Sequence, residues 1–333
     1  MGYNLSYKDL IKKAISYGQS LSKILSDKQQ IGICIPAGLN FLVTFWALQY
    51  LSKSVVIISP NDINEQVSQA GVEVLLSVKD FEDVSCDLIN ISTLKPVRFA
   101  YKYKKQKTKT KVVLFKNKQM FECTSKDILK SFKRLDCIFP FNTKDVAINT
   151  LPSDSAEGFV LGTILPILSG VKTCFAPNLS AKFVSRLCYD MASTVMILND
   201  SDYVESINNS TAFDFFNVRL AFCVGQKLEN SVLEYWLKNF NVRILESFTP
   251  QDSVFIATIN TPLYYKFGSL GSNLFNKKTI FDEVYFGDEL ELKAMVRSNP
   301  GLILINDGII IDKWSKIDFP PKEEINNLIE TLY

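Results

Sequence analysis

The stretch VAINTLPSDSAEGFVLGTILPILSGVKTCF, at positions 146–175, contains one complete strand–helix–strand pattern. Apolar runs at Val146–Thr150 and Lys172–Phe175 have the length of buried strands, and the longer apolar segment Ala156–Leu168 between them predicts a helix. A strand, a helix and a second strand in this order form a right-handed crossover in a parallel sheet. This segment therefore predicts an α/β fold.

The same alternation continues in both directions along the chain. Lys111–Thr124 has two apolar runs around a polar turn, which predicts a hairpin. Strands that alternate with helices favour two α/β lobes, each with a mainly parallel sheet. Further strands are predicted at 31–35, 55–58, 72–77, 194–197, 219–223 and 242–245, and further helices at 6–25, 64–71, 126–135, 181–192 and 229–240.

The chain past Asp252 changes character, because strand-like runs follow one another without helices between them. These runs are VFIATI, ELELKAMV, LILI and IIID, and a helix with an early proline is predicted at the C-terminal end. We therefore expect an N-terminal lobe over 1–110, a second lobe over 111–252, a β-rich subdomain over 253–312, and a hinge with the start of a C-terminal domain over 313–333.

Composition excludes several kinds of catalytic site. The 333 residues contain no histidine, which rules out Ser-His-Asp and Cys-His nucleophile systems and HExxH zinc sites. The seven cysteines show no CxxC spacing, so we interpret them as reduced residues of a cytoplasmic protein rather than metal ligands. A formal net charge of +2 favours no particular partner.

Membrane-spanning segments are not expected. The apolar runs Phe41–Leu51 and Gly158–Gly170 are too short to cross a bilayer, and the N-terminus lacks the apolar core of a signal peptide. We expect a cytoplasmic protein, with peripheral contact to the inner face of the membrane as a further hypothesis.

A lysine-rich run, Lys102–Lys111, interrupts the α/β pattern with six lysines. The simplest interpretation is a solvated linker. The alternative is contact with an anionic surface, either an acidic acyl carrier protein or anionic lipid. Nucleic acid is disfavoured because no aromatic platform accompanies the charges.

Four signals appear in a characteristic order: KDVAINTLPSDSAEG at 144–158, VRLAFCVGQKL at 218–228, FNVRILESFTPQD at 240–252 and FGSLG at 267–271. In this order and spacing the chain resembles the adenylate-forming superfamily, which includes acyl-CoA synthetases, luciferases and peptide-synthetase adenylation domains. It is most similar to the synthetase half of bifunctional acyl-ACP synthetase/acylglycerophosphoethanolamine acyltransferases. The resemblance implies the N-terminal domain of that fold, with the mobile C-terminal domain truncated.

The resemblance implies that strand Lys111–Phe115 should precede a glycine-rich loop that wraps ATP phosphates. KNKQMFECTS follows instead and contains no glycine, so we expect the backbone not to reach the positive φ that such a loop needs. Lys116 and Lys118 are interpreted as surface lysines, with attraction to a phosphate as the alternative.

The remaining family motifs correspond to altered residues. The resemblance implies an acyl-pocket remnant at Ser155 and Gly158, although Ser153–Ser155 also fit an N-cap for the next helix. It implies a weak metal site at Asp252 in place of the family's magnesium-binding glutamate. It also implies a remnant nucleotide site at Gly225, Phe248, Thr249, Gln251, Asp252 and Asp307.

These substitutions predict a degenerate acid–thiol ligase without catalytic activity, a scaffold or remnant linked to fatty acid and phospholipid metabolism. The alternative is a weak ATP-dependent fatty acid–ACP or fatty acid–CoA ligase that a separate C-terminal domain completes in trans. No cofactor is expected unless the remnant pocket binds ATP and Mg²⁺. An acyl carrier protein or an acyltransferase is the expected partner.

Overall fold

A computed structural model describes residues 4–94, 110–139, 141–177, 179–225, 227–261, 265, 269, 271–274, 301–306, 309–315, 320, 324–325 and 327. The chain divides into two compact units, Met1–Ile280 and Phe281–Tyr333. The first unit contains two sheets with their helices, and the second contains a hairpin.

The first sheet has six strands in the order β4-β3-β1-β2-β5-β6, parallel except for the last pair. Its buried faces consist almost wholly of Ile, Leu and Val, as expected for parallel strands covered on both sides. The strands are β1 (Gln30–Cys34), β2 (Ser54–Ile57), β3 (Val74–Ser77), β4 (Asp87–Asn90), β5 (Lys111–Lys116) and β6 (Gln119–Thr124), and the helices are α1 (Tyr7–Ile24), α2 (Leu39–Tyr50) and α3 (Ile63–Ala70).

The second sheet has seven strands in the order β13-β12-β11-β10-β9-β7-β8. Strands β7 to β11 are parallel, and β12 and β13 join antiparallel at one edge. The strands are β7 (Val146–Asn149), β8 (Lys172–Phe175), β9 (Val195–Asn199), β10 (Leu220–Val224), β11 (Ile244–Phe248), β12 (Thr258–Ile259) and β13 (Ser272–Asn273), and the helices are α4 (Ser125–Ile138), α5 (Ala156–Phe159), α6 (Leu165–Leu168), α7 (Ala181–Met191), α8 (Asp200–Ser206) and α9 (Asn230–Phe240).

One of the apolar clusters spans both lobes. Phe159, in the second lobe, meets the ring of Phe45 in the first lobe edge to face at 5.4 Å. Two polar contacts also join the lobes: the Tyr7 hydroxyl donates to the Val171 carbonyl at 2.6 Å, and the Ser153 hydroxyl donates to the Ile35 carbonyl at 2.8 Å. The lobes therefore form one folded unit.

The predicted α/β fold with two mainly parallel sheets is confirmed, but the segment boundaries differ from the prediction. Lys111–Thr124, expected to open the second lobe, belongs to the first sheet because β5 pairs with β2. The unit boundary falls after Ile280 rather than after Asp252, because β12 and β13 extend the second sheet. The strand predicted at Val254–Ile259 is reduced to the two residues of β12.

The second unit contains β14 (Gly301–Asn306) paired antiparallel with β15 (Ile309–Ser315). These strands confirm the apolar runs LILI and IIID as strands. The run ELELKAMV and most of the predicted C-terminal helix lie outside the described residues.

Candidate functional site

Ligand sites in open α/β sheets lie at the carboxyl ends of the strands. In the second sheet, β7, β9, β10 and β11 end side by side at this edge. The strand β5 of the first sheet ends close to it, since Lys116 contacts the segment that follows β11. The candidate site is built from these strand ends and the segments that follow them.

The turn between β5 and β6 replaces the phosphate loop that the resemblance implies. Lys116 pairs with Gln119, so only Asn117 and Lys118 form the turn, with φ of 50° and 64°. Two successive left-handed residues are the signature of a tight type I′ hairpin turn. The expectation that positive φ would be inaccessible without glycine is therefore wrong, because asparagine and lysine adopt it here. A turn of two residues still leaves no loop to surround a triphosphate.

Lys116 closes the space between the lobes. Its ammonium donates to the carbonyls of Thr249 at 2.9 Å, Pro250 at 2.7 Å and Ser253 at 3.3 Å. It also lies 3.5 Å from the Glu157 carboxylate, and its side chain is only 17% exposed. The interpretation of Lys116 as a surface lysine is wrong, whereas Lys118 is 69% exposed and pairs with Glu65 at 3.1 Å. Three acceptors saturate the three donors of a lysine ammonium.

The last residue of β11 and the segment that follows it carry four of the predicted site residues. Phe248 is 43% exposed, so the structure does not bury the residue that the resemblance assigns to stacking. Thr249 is held through its carbonyl, while its buried hydroxyl has no hydrogen-bond partner. Gln251 and Asp252 are exposed in the turn. Among the described residues, no three His, Cys, Asp or Glu side chains come together as metal ligands, so metal binding at Asp252 stays a prediction.

The predicted acyl-pocket residues hold the turn after β7 together. Ser155 is the N-cap of α5 and accepts from the Gly158 amide at 2.9 Å, which confirms the N-cap interpretation. A Cβ atom on Gly158 would lie 2.0 Å from the Pro152 carbonyl oxygen, so glycine is required by close packing. Ser153 is buried and bonded to Ile35 across the lobes.

A π-helical turn, Val160–Ile164, interrupts the predicted helix between α5 and α6. The buried Asn149 side chain donates to the Gly162 carbonyl at 2.9 Å and accepts from the Leu151 amide at 3.0 Å. A Cβ atom on Gly162 would lie 2.6 Å from the Asn149 amide group. The π-helical turn thus brings the Gly162 carbonyl into hydrogen-bond contact with Asn149 at the end of β7. Such turns are frequent at functional sites.

Gly225 follows β10 with φ of 117°, and a Cβ atom there would lie 2.7 Å from the Asp200 carboxylate. Next to it, Thr150 donates to the buried carboxylate of Asp202 at 2.6 Å. Burial raises the pKa of Asp202, although the Thr150 bond acts in the opposite direction. Gly225 therefore lies against the Asp200 carboxylate, which does not favour a phosphate at that position.

Buried acceptors without partners form a group that the sequence interpretation missed. Glu246 on β11 is 2% exposed and Asn260 is 1% exposed, and each has one side-chain oxygen without a hydrogen bond. They lie on facing strands, since the Asn260 amide donates to the Glu246 carbonyl at 2.9 Å. The Thr258 hydroxyl is a third buried atom without a partner. The signal was present in RILESF, where an acidic residue interrupts an apolar strand.

This environment shifts the pKa of the Glu246 carboxyl. Burial raises its pKa, and the hydrogen bond from the Leu228 amide at 3.0 Å and the charge of Lys227 only partly oppose the rise. A protonated Glu246 would place one donor among the unpartnered oxygens. These oxygens could also receive donors from a ligand.

Two predicted elements cannot be placed. Asp307 and residues 101–109 of the lysine run lie outside the described residues. In the described part of the chain, no helix has both the length and the apolar character that crossing a bilayer requires. Cys34 and Cys223 are buried thiols, and burial raises the pKa of Cys34 to about 11.

The two-lobe arrangement is the fold of the N-terminal domain of adenylate-forming enzymes. No protein-family model matches the sequence. The benzoate CoA ligase of Burkholderia xenovorans superposes with a TM-score of 0.71 at 16% identity, over 81% of this chain and 60% of that enzyme. The chain thus spans about 60% of the length of that ligase.

Two further structures support the same fold. The o-succinylbenzoate CoA synthetase of Bacillus subtilis, in complex with AMP, gives a TM-score of 0.71 at 13% identity, over 83% of this chain and 76% of the synthetase. The N-terminal domain of FACL13 from Mycobacterium tuberculosis gives 0.62 at 11% identity, over 75% of this chain and 70% of that domain. At these identities the likeness establishes the fold.

Proposed function

We propose that this chain is a catalytically inactive adenylate-forming-type protein that acts as a scaffold in fatty acid and phospholipid metabolism. It holds an acyl carrier protein or an acyltransferase in the cytoplasm, close to the inner face of the membrane. The order of its motifs, most similar to acyl-ACP synthetases, supports the metabolic assignment.

The position of Lys116 is the main observation that supports the proposed inactivity. In the resemblance, the end of β5 and the segment after β11 are the two parts that enclose ATP. Here the Lys116 ammonium joins them directly through the carbonyls of Thr249, Pro250 and Ser253. A phosphate would have to displace three hydrogen bonds and the Glu157 carboxylate to reach this cation.

The loss of hydrogen-bond donors to the phosphates should strongly lower the rate of adenylate formation. One preorganised donor to a developing charge contributes roughly 10²–10³ in rate. A two-residue turn removes the several backbone amides that a phosphate loop would supply. Even with strong non-additivity, adenylate formation should fall below detection.

One observation favours the alternative, a weak ligase completed in trans. Glu246, Thr249, Thr258 and Asn260 each have a buried side-chain oxygen without a partner, next to the end of β11. Buried acceptors of this kind usually have a partner in the functional state. A nucleotide with exocyclic amino and hydroxyl donors is a suitable candidate, and the related synthetase was solved with AMP.

Binding and turnover distinguish the two functions. At about 5 mM Mg-ATP, a site with a dissociation constant about 100-fold lower would stabilise the fold by about 2.7 kcal/mol, a shift of several degrees. We expect a shift in unfolding midpoint below about 1 °C and no pyrophosphate from ATP with fatty acids. A clear shift without pyrophosphate would indicate a retained nucleotide site, and pyrophosphate release would overturn the proposed inactivity.

A further inference from the structure

Charge is strongly segregated along this nearly neutral chain. Of 37 Lys and Arg residues, 14 fall between positions 95 and 134, together with only two of the 35 Asp and Glu residues. This segment therefore carries a net charge of +12, and the remainder of the chain carries −10. The described part of the segment contains the β5–β6 hairpin and most of α4.

Helix α4 presents its basic residues as a stripe. Its inward face is formed by Ile128, Ser131 and Leu135, which are buried. After Ser125, the exposed positions are Lys126, Leu129, Lys130, Lys133 and Cys137, at spacings of three and four that follow one face of a helix. The basic stripe is defined here as Lys126, Lys130 and Lys133, with Leu129 between them.

The stripe is held rigidly. A capping box fixes the first turn of α4, in which Thr124 and Asp127 exchange side-chain and backbone hydrogen bonds. The buried side of the helix packs on the second lobe through Leu135, in the same core as Phe139. The helix backbone that carries the lysines therefore needs little reorganisation to meet a partner.

The acidic residues near the stripe have other partners. Asp127 accepts hydrogen bonds in the capping box, and Glu122 pairs with Lys111. Asp136 lies near Ser169 at 3.4 Å. No stripe lysine forms an ion pair with another residue that the structure describes. Asp127 still interacts electrostatically with Lys126 and Lys130, but with this one acidic neighbour for three lysines the stripe keeps an excess of positive charge.

We propose that the basic stripe of α4 is a docking surface for the acidic helix of a small acidic protein of the carrier-protein type. The proposal rests on the partner role proposed above and locates it on a helix outside the run Lys102–Lys111. Lys126 and Lys133 lie about 10 Å apart along the axis, at about 1.5 Å per residue. A facing helix with carboxylates at the same spacing and an apolar side chain between them matches this pattern.

The shape of the stripe favours a helix over other anionic partners. On the described part of this segment, the lysines of α4 form a row one residue wide around a 46%-exposed leucine. An anionic bilayer is recognised by amphipathic helices with many cations and buried aromatic or leucine anchors. Single-stranded nucleic acid requires aromatic stacking platforms, and α4 exposes none.

The test measures binding of a purified acidic acyl carrier protein to the full chain by fluorescence anisotropy. At about 50 mM salt we expect K126E/K130E/K133E to weaken binding by about tenfold or more, and salt near 300 mM to weaken wild-type binding similarly. The matched control K8E/K12E/K23E reverses three exposed lysines on α1 and should change affinity by less than about twofold. Equal unfolding midpoints would show that both variants are folded.

Several outcomes would overturn the docking proposal. These are no binding by wild type, equal weakening by both triple variants, or tighter binding to phosphatidylglycerol vesicles or polyuridylate that depends on the same three lysines. Leu129→Glu should weaken carrier-protein binding further without a change in the number of lysines. Pyrophosphate release would contradict the proposed inactivity without affecting this binding result, so the two failures are distinguishable.

Discussion

At the residue scale, Lys116 shows how one side chain can change the character of a site. The carbonyls that accept its hydrogen bonds lie 133 to 137 positions further along the chain. No local pattern could reveal that contact, since a lysine beside a polar turn has the sequence signature of a surface residue. Residues with sequence-local roles were easier to predict, such as Ser155 at the N-cap of α5.

Lys116→Ala should lower the free energy of unfolding by about 2 kcal/mol, because three carbonyls lose a charged donor and Glu157 is left half-buried without its cation. Urea unfolding measures the change. Lys118→Ala is the matched control and should change the unfolding free energy far less, since Lys118 is exposed and its ion pair with Glu65 is screened by water. Equal losses for the two variants would contradict the assigned role of Lys116.

Glu246 should make stability depend on pH. Burial raises its pKa in the folded chain, so its contribution is fully present below the unfolded pKa and is lost as pH rises through the folded pKa. Glu246→Gln should therefore stabilise the protein at pH near 8 more than at pH near 5, measured as the change in unfolding midpoint.

Glu73 is a control for which the opposite dependence of stability on pH is expected. Hydrogen bonds from the Gln30 and Gln29 amides lower its pKa, so its contribution is present above the unfolded pKa and is lost as pH falls through the folded pKa. Glu73→Gln should thus cost stability at neutral pH and little in acid. The same pH trend for both variants would contradict the burial assigned to Glu246.

At the element scale, sequence periodicity predicted most helices and strands of the two sheets within a few residues. It missed β4 and α8, because both are short and rich in polar residues. Helix α8 begins where the Asn199 side chain accepts from the Asp202 amide at 2.7 Å, a capping signal without an apolar stripe. The π-helical turn was also missed, since it depends on Asn149 reaching Gly162.

Gly158→Ala tests the turn between β7 and α5. The new Cβ atom would meet the Pro152 carbonyl at 2.0 Å, so backbone must move, and we expect a loss of about 2 kcal/mol or more in urea unfolding. Ser155→Ala removes only the cap and should cost about 1 kcal/mol. A neutral Gly158→Ala variant would indicate that the glycine is not required for packing.

At the scale of the whole molecule, the sequence predicted two lobes correctly but misplaced their limits. The hairpin Lys111–Thr124 joins the first sheet, a pairing with β2 across more than fifty residues that local patterns do not encode. Likewise β12 and β13 complete the second sheet past the predicted limit at Asp252.

A chain ending at Ile280 should therefore unfold cooperatively, because the first unit contains both sheets and their cores. A chain ending at Asp252 should be less stable, since it lacks β12 and leaves the edge of β11 unpaired. Circular dichroism during heating compares the two. Equal midpoints would show that the antiparallel edge contributes nothing to the fold.

The hydroxyl of Tyr7, which donates to the Val171 carbonyl, joins the start of the chain to a residue at its middle. During synthesis, the N-terminal helix emerges from the ribosome long before its acceptor is translated. Helix α1 can pack early on α2, but this bond forms only after the 164 positions that separate Tyr7 from Val171 have been translated. Closure of the first lobe onto the second is therefore a late event in biosynthesis.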